Sequence, residues 1–131
     1  MTAPDPVKQV IAIRKDLHMR RGKECAQAAH ASAMWLHRRV IAALWHAKVP
    51  NFEAHELLWM RGEFRKIVVQ VQSEAELVQL FEAAQKAGLE THQVVDMGAT
   101  EFNGVRTMTA VAIGPHFASH IDPVTLNLEL Y

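Results

Sequence analysis

The chain has 131 residues, half of them hydrophobic and 21% charged, a composition that fits one soluble globular domain with a buried core and needs no second domain. Its single cysteine, Cys25, excludes an intramolecular disulfide. The net charge is zero but unevenly spread, because residues 1–72 carry 12 Lys and Arg against 6 Asp and Glu, whereas residues 73–131 carry 2 against 8.

The predicted elements begin after a short leader. Residues 1–6 contain two prolines and no apolar run, so we expect a loose leader rather than a signal peptide, followed by one domain at residues 7–131. No later segment approaches the length of a membrane-spanning helix, about 20 apolar residues. We therefore expect a soluble, cytoplasmic protein with no membrane partner.

The first half predicts one strand, one long helix and one short helix. Residues 7–14 are apolar and β-branched, as in a buried strand, and a basic loop leads from them to Gly22. An Ala-rich helix follows to about residue 47, where Pro50 helps to end it. Residues 53–60 predict a short helical turn.

The second half alternates strands and helices. Residues 67–71 predict a clear strand, and residues 74–87 predict an amphipathic helix that ends at Gly88. The remaining predictions, in order, are a strand at 91–95, an irregular loop at 97–106, a strand at 107–113, a short turn or helix to about 120, and a strand-like segment at 124–130. This order predicts an α/β fold, in which helices cover both faces of a sheet.

The long helix carries two neighbouring stripes of side chains. Lys23, Gln27 and His30 are four and then three residues apart, so their side chains fall on one line. We expect the adjacent stripe to face the core, and its members are Ala26, Ala29, Ala33, Leu36 and Val40. The polar stripe should then lie at the rim of the packed face.

Basic residues surround the loop before the long helix. They are Arg14, Lys15, Arg20, Arg21 and Lys23. Such a local excess can hold a phosphate backbone even on a neutral protein, since charges act strongly within a Debye length of about 8 Å. The alternative is that these residues are ordinary solvent-exposed surface charges. An uneven charge distribution fits nucleic-acid binding but is not specific to it.

Two blocks of residues resemble a known family. The first block reads Arg14-x-Asp16-Leu17-x-Met19-x-x-Gly22-Lys23-x-x-Ala26-Gln27-x-x-His30-Ala31. The second reads Asp96-x-Gly98-x-Thr100-Glu101, followed by Thr109-x-x-Ala112-Ile113-Gly114-Pro115. The two blocks resemble, in the same order, the signatures of the archaeal and eukaryotic type of peptidyl-tRNA hydrolase, and the resemblance covers most of residues 8–125.

The resemblance implies a fold, an activity and partners. The implied fold has three layers, with a four-stranded mixed sheet between two helical layers, and the implied assembly is a homodimer. The implied reaction is hydrolysis of the ester that joins a peptide to the 3′ ribose of tRNA, without a cofactor. That reaction needs an oriented water, donors for the charge that develops on the carbonyl oxygen, and a surface that holds RNA. The basic residues Arg14, Lys15, Arg20 and Arg21 are the candidates for that surface.

Each candidate catalytic residue also has an ordinary structural explanation. Asp96 should project beyond a strand end, where it can orient or deprotonate water, but an aspartate before a glycine also caps turns. Lys23 can stabilise the carbonyl oxygen or pair with a phosphate, and its position in a first helical turn, unfavourable for the helix dipole, favours a functional purpose. Gln27, Thr100 and Thr109 can orient the substrate, although threonines also suit strands and glutamines suit exposed helices. A histidine such as His30 is more often satisfied by one core hydrogen bond than catalytic.

Other kinds of site are not indicated. His55-Glu56 lacks a second histidine four residues after the first, so no metal site is expected. Cys25 and His30 are five residues apart on a helix and point to different faces, which argues against a nucleophile pair.

Some residues depart from the family pattern. Met97 replaces an alanine, Glu90 replaces a common proline, and within residues 126–130 the acidic Glu129 replaces a basic residue. These differences leave two competing functions open. One is a non-catalytic member of the fold that binds RNA or protein, and the other is a hydrolase of another small acyl ester or amide.

Overall fold

The computed structural model describes residues 4–99 and 102–131. Within these ranges it contains five strands and four helices. In chain order they are β1 (Val7–Arg14), α1 (Arg21–Trp45), α2 (Ala54–Arg61), β2 (Lys66–Val71), α3 (Glu74–Lys86), β3 (Thr91–Asp96), β4 (Thr107–Phe117), α4 (Ala118–Thr125) and β5 (Glu129–Leu130). Of the leader expected at residues 1–6, the first three residues lie outside the described ranges, and the carbonyl oxygen of Pro6 accepts a hydrogen bond from the Ala118 amide at 2.7 Å.

The strands form one mixed sheet in the order β3, β4, β1, β2, β5. β1 is parallel to β2, and the other neighbouring strands are antiparallel. The predicted α/β class is confirmed. The predicted number of four strands is wrong, because Val69 and Gln70 of β2 also pair with a short fifth strand at Leu130 and Glu129.

Two apolar cores lie on opposite faces of this sheet. Alternate residues of a strand point to opposite faces, and β1 shows this directly. Val10 and Ala12 pack in a core with Leu77 of α3, whereas Ile11 and Ile13 pack in a second core with Ala31 of α1. α1 therefore covers one face, and α3 lies on the other.

The predicted core stripe of α1 is wrong. Of the five predicted residues, Ala26, Ala29 and Ala33 are exposed and Leu36 and Val40 are half-buried. The buried positions are instead Gln27, Ala31 and Trp35. An indole removes far more apolar surface from water than a methyl group, so the helix orientation that buries Trp35 is favoured over one that buries alanines. Trp35 then contacts the rings of Phe52 and Trp59 edge to face, at centroid distances of 6.0 and 6.1 Å.

A buried polar contact also fixes α1 on the sheet. Gln9 of β1 is completely buried, and its Nε2 donates to the Ser32 carbonyl at 3.0 Å. In return, the Ser32 hydroxyl donates to Gln9 Oε1 at 2.5 Å. Because both amide atoms of Gln9 are satisfied, this contact sets the position of α1 along β1 without leaving a buried polar group unpaired.

The predicted C-terminal strand is largely wrong. Val124 and Thr125 belong to the last turn of α4, and only Glu129 and Leu130 form a strand. The alternation of apolar residues at 124–130 resembles that of a strand, but Val124 and Leu128 pack against the core that contains Leu77 of α3. No helix in the described ranges combines the length and apolar character needed to cross a bilayer.

Candidate active site

A bulge in β4 turns Thr109 towards α1. Val94 of β3 pairs with Ala110, and the next residue, Val95, pairs with Met108, so Thr109 is an extra residue in β4. Such a bulge changes the direction of a side chain relative to regular alternation. Thr109 is completely buried, and its hydroxyl donates to Gln27 Oε1 of α1 at 2.8 Å.

Gln27 connects this threonine to the carboxylate of Asp96. Asp96 is the last residue of β3, and Gln27 Nε2 donates to its Oδ2 at 3.1 Å. The amide is therefore held at both ends, because its oxygen accepts from Thr109 while its nitrogen donates to Asp96. Thr109, Gln27 and Asp96 form one continuous line of hydrogen bonds.

Lys23 completes the cluster from the first turn of α1. Its Nζ lies 2.7 Å from Asp96 Oδ2 and 5.8 Å from the centroid of the Phe102 ring. The side chains of Lys23 and Asp96 are only 16% and 11% exposed. The ion pair is therefore shielded from bulk water yet still reachable from outside.

A tight turn supplies a further donor to Asp96. The Gly98 amide donates to Asp96 Oδ1 at 2.7 Å. Gly98 has φ +81, and a Cβ there would lie 2.6 Å from the backbone nitrogen of Val105. Only glycine fits, so the turn that aims this amide depends on the residue two positions after Asp96.

These contacts lower the pKa of Asp96. The hydrogen bond from Lys23 has the largest effect, and the Gly98 amide acts in the same direction against the smaller effect of burial. A carboxylate stabilised in its charged form accepts a proton poorly. The arrangement suits Asp96 for holding Lys23 and a water in position better than for removing a proton from that water.

Apart from Arg14, the other predicted residues divide into three groups. Thr100 lies outside the described residues. His30 is exposed and lines a hollow of about 360 Å³ with Ala33, Met34, His37 and Arg38, away from the line of hydrogen bonds between Thr109 and Asp96. Among the predicted RNA contacts, Lys15, Arg20 and Arg21 are exposed around the start of α1.

Arg14 does not fit the predicted RNA contact. It is only 8% exposed, and its guanidinium binds both carboxylate oxygens of Asp16, at 3.1 and 2.7 Å. It also donates to the Met108 carbonyl oxygen at 3.2 Å. With these partners, Arg14 ties the end of β1 to β4, and we replace its predicted role with this structural one.

Sequence reasoning missed two features of the site. Phe102, which lies beside Lys23, was predicted only as part of an irregular loop. The bulge at Thr109 also has no signal in the sequence, since threonine is common in regular strands. In the described ranges, no three His, Cys, Asp or Glu side chains are arranged to hold a metal ion.

The fold and the site together define an α/β protein with a shielded lysine and carboxylate at the end of an edge strand. Comparison with known proteins then gives the family. The family model described as "Peptidyl-tRNA hydrolase PTH2" matches residues 7–131. The chain belongs to this family.

Individual relatives agree over nearly the full length. A protein named peptidyl-tRNA hydrolase from Methanocaldococcus jannaschii is 39% identical over 124 residues, which cover 95% of this chain and 99% of the relative. Proteins of the same name from Methanopyrus kandleri and Pyrobaculum aerophilum are 38% and 39% identical, over 94% and 95% of this chain and 97% and 98% of their own lengths.

Proposed function

We propose that this protein hydrolyses the ester bond of peptidyl-tRNA and releases the peptide and free tRNA. The observation that carries the proposal is the 2.7 Å contact between Lys23 and Asp96 at the end of β3. It is supported by the family to which the chain belongs and by the names of its relatives.

In the proposed reaction, water attacks the ester carbonyl carbon. Negative charge develops on the carbonyl oxygen, and the Lys23 ammonium, held on one side by Asp96, stabilises it. The bond between the carbon and the ribose oxygen then breaks, the ribose oxygen receives the proton that the attacking water gives up, and the water oxygen becomes part of the peptide's new carboxyl group. Asp96 and Gln27 orient the water and Lys23, Thr109 fixes Gln27, and Thr100 is proposed to orient the substrate.

The tRNA part of the substrate is proposed to lie on the basic loop. Lys15, Arg20 and Arg21 are exposed near the start of α1, the same end of the helix that carries Lys23. Binding through several such charges should weaken steeply as the salt concentration rises. A homodimer is proposed from the family resemblance and a cytoplasmic location from the sequence prediction, and sedimentation analysis tests the dimer.

Release of free tRNA from peptidyl-tRNA tests the proposed function. Asp96→Asn keeps the shape of the side chain but removes the charge that holds Lys23, so we expect kcat to fall about 10²- to 10³-fold. Glu82→Gln, on an exposed part of α3, is the matched control and should keep full activity.

The two competing functions give different results in this assay. Absence of turnover by the folded wild-type protein would favour a non-catalytic binder of RNA or protein. Turnover of small acyl esters or amides that persists in excess free tRNA would favour a different hydrolase.

A further inference from the structure

The outer edge of β3 and the flank of α1 beside it lead away from the candidate active site, and we call the surface that they form the trough. The two elements run in opposite directions. Val94 of β3 and Ala31 of α1 pack in the same core, and a polar contact joins the elements on either side of this packing. Gln27 donates to Asp96 at 3.1 Å at one end, and Arg38 donates to His92 Nδ1 at 3.2 Å at the other. With a rise of about 3.3 Å per residue, β3 extends about 13 Å between His92 and Asp96.

One side of this trough is the edge of the sheet. β3 is a terminal strand of the described sheet and pairs only with β4 there. On its other side, alternate backbone N–H and C=O groups point outwards, as they do along any edge strand. Such an edge can accept another extended chain through main-chain hydrogen bonds.

The other side of the trough is a flank of α1 that also carries Lys23. Positions 23, 27, 30, 34 and 38 repeat at intervals of four and three, so they share one flank of the helix. The hollow of about 360 Å³ beside His30, Met34 and Arg38 lies on this flank. It begins about 10 Å along the helix axis from Lys23, at a rise of 1.5 Å per residue.

The far end of the trough is fixed in place. His92 contacts Glu90 at 3.0 Å, and Glu90 in turn lies 3.4 Å from Arg39 of α1. Glu90 is one of the residues that depart from the family pattern. Here it helps to hold β3 against α1 at the end opposite Asp96.

We propose that the peptide part of peptidyl-tRNA binds in this trough as an additional strand along β3, which rests on the proposed function. The ester carbonyl lies at Lys23, and the peptide runs from His92 towards Asp96, parallel to β3. Its direction follows from the basic residues Lys15, Arg20 and Arg21. If these hold the RNA at the start of α1, the peptide leaves along the helix in the other direction.

Pairing through the main chain would allow one site to accept peptides of different sequences. The hydrogen bonds of a strand involve only backbone groups, while alternate side chains point either towards the hollow beside Met34 or towards the opposite face of the sheet. The trough length of about 13 Å accommodates about four extended residues. A tRNA with one amino acid has almost no backbone to pair, so it should be a poor substrate.

The test measures kcat/KM for N-acetylated peptidyl-tRNAs with one to six residues. We expect kcat/KM to rise up to about four residues and then stay constant. N-methylation of single peptide amides should lower kcat/KM roughly three- to tenfold at alternate positions only, because every second amide faces β3. Equal rates for all lengths, or equal effects of methylation at all positions, would overturn the proposal.

A protein variant tests the trough independently. His37 is exposed beside the hollow, so His37→Trp should narrow it and lower the ratio of kcat/KM for the five-residue substrate to that for the one-residue substrate. Ala42→Trp adds the same side chain at an exposed position of α1 outside the hollow and should leave this ratio unchanged. An unchanged ratio in folded His37→Trp would contradict the proposal.

These experiments separate the two proposals. If the wild-type protein hydrolyses none of the peptidyl-tRNAs, the proposed function fails. If it hydrolyses all of them regardless of length and methylation, the function stands and the peptide-binding trough does not.

Discussion

Thr109 and Gln27 are 82 residues apart in the chain and share a 2.8 Å hydrogen bond that is buried inside the protein. This bond fixes which end of the Gln27 amide faces Asp96. Without it the amide could rotate and present its oxygen to the carboxylate, which would repel it. The orientation of the Asp96 cluster therefore depends on a bulge in a strand that carries none of the charged groups.

Thr109→Val tests this dependence. Valine has the same shape but no hydroxyl, so it leaves Gln27 Oε1 buried without a donor. We expect the free energy of unfolding to fall by about 1–3 kcal/mol and kcat to fall as well. Denaturant unfolding and tRNA release measure the two effects. Thr109→Ser keeps the hydroxyl and should restore most of kcat, whereas equal activity of the valine and serine variants would contradict this role.

Lys23→Met tests the electrostatic link to Asp96. Lys23 makes the largest contribution to lowering the pKa of Asp96 from its ordinary value of 3.8. Removing the ammonium should move the pKa of Asp96 back upwards, as measured by NMR titration of the carboxyl carbon. Lys48→Met, at an exposed position, is the control and should leave this titration unchanged.

The pH dependence of the free energy of unfolding follows from the same lowering of the pKa of Asp96. The pKa of Asp96 is lower in the folded than in the unfolded protein, so its charged form stabilises the fold above pH 3.8. This contribution is lost as the pH falls below 3.8 through the pKa of the folded state. In Lys23→Met the free energy of unfolding should therefore depend less on pH in that range, and an unchanged dependence would argue against the ion pair.

The sequence predicted the elements better than their packing. Strand and helix bounds follow from local periodicity, and β1 and α3 agree closely with the predicted ranges. The face of α1 that is buried depends instead on contacts from distant segments. Alanines give a weak signal for burial, and Trp35 is buried because Phe52 and Trp59 surround it.

Candidate site residues were predicted because two sequence blocks resemble a family. Spacing alone placed Lys23 and Gln27 on one side of a helix, but it could not bring Asp96 to them. That contact depends on how α1 crosses the sheet. For Arg14 the sequence was misleading, because a basic residue beside an exposed loop is buried in the structure and paired with Asp16, two residues away.

Substitutions in α1 distinguish its two faces. Trp35 is 1% exposed, so Trp35→Ala should lower the free energy of unfolding by about 3–5 kcal/mol. Ala26→Gln is on the exposed stripe and should change it by less than about 0.5 kcal/mol. Denaturant titration measures both. A large loss of stability in Ala26→Gln would mean that the predicted alanine stripe is covered in solution.

His116, which lies beside two other histidines, should make the protein less stable in acid. His116 lies between His55 and His120, with ring centroids 4.0 and 4.3 Å apart, and its Nδ1 accepts a hydrogen bond from the Phe117 amide at 2.8 Å. Burial is the largest cause that lowers the pKa of His116 from 6.5, and the charges of the neighbouring histidines add to it. Glu56 and Asp5 act in the opposite direction but do not reverse the shift.

Because the folded state binds this proton less well than the unfolded state, the contribution of His116 to stability is complete above pH 6.5 and is lost as the pH falls through the lower pKa of the folded protein. Thermal unfolding between pH 8 and pH 5 should therefore show a decrease in Tm that is smaller in His116→Gln, whose amide cannot take up a proton. His30→Gln removes an exposed histidine of α1 and should keep the wild-type decrease. If His116→Gln and the wild type lose the same Tm over this range, the pH dependence has another source.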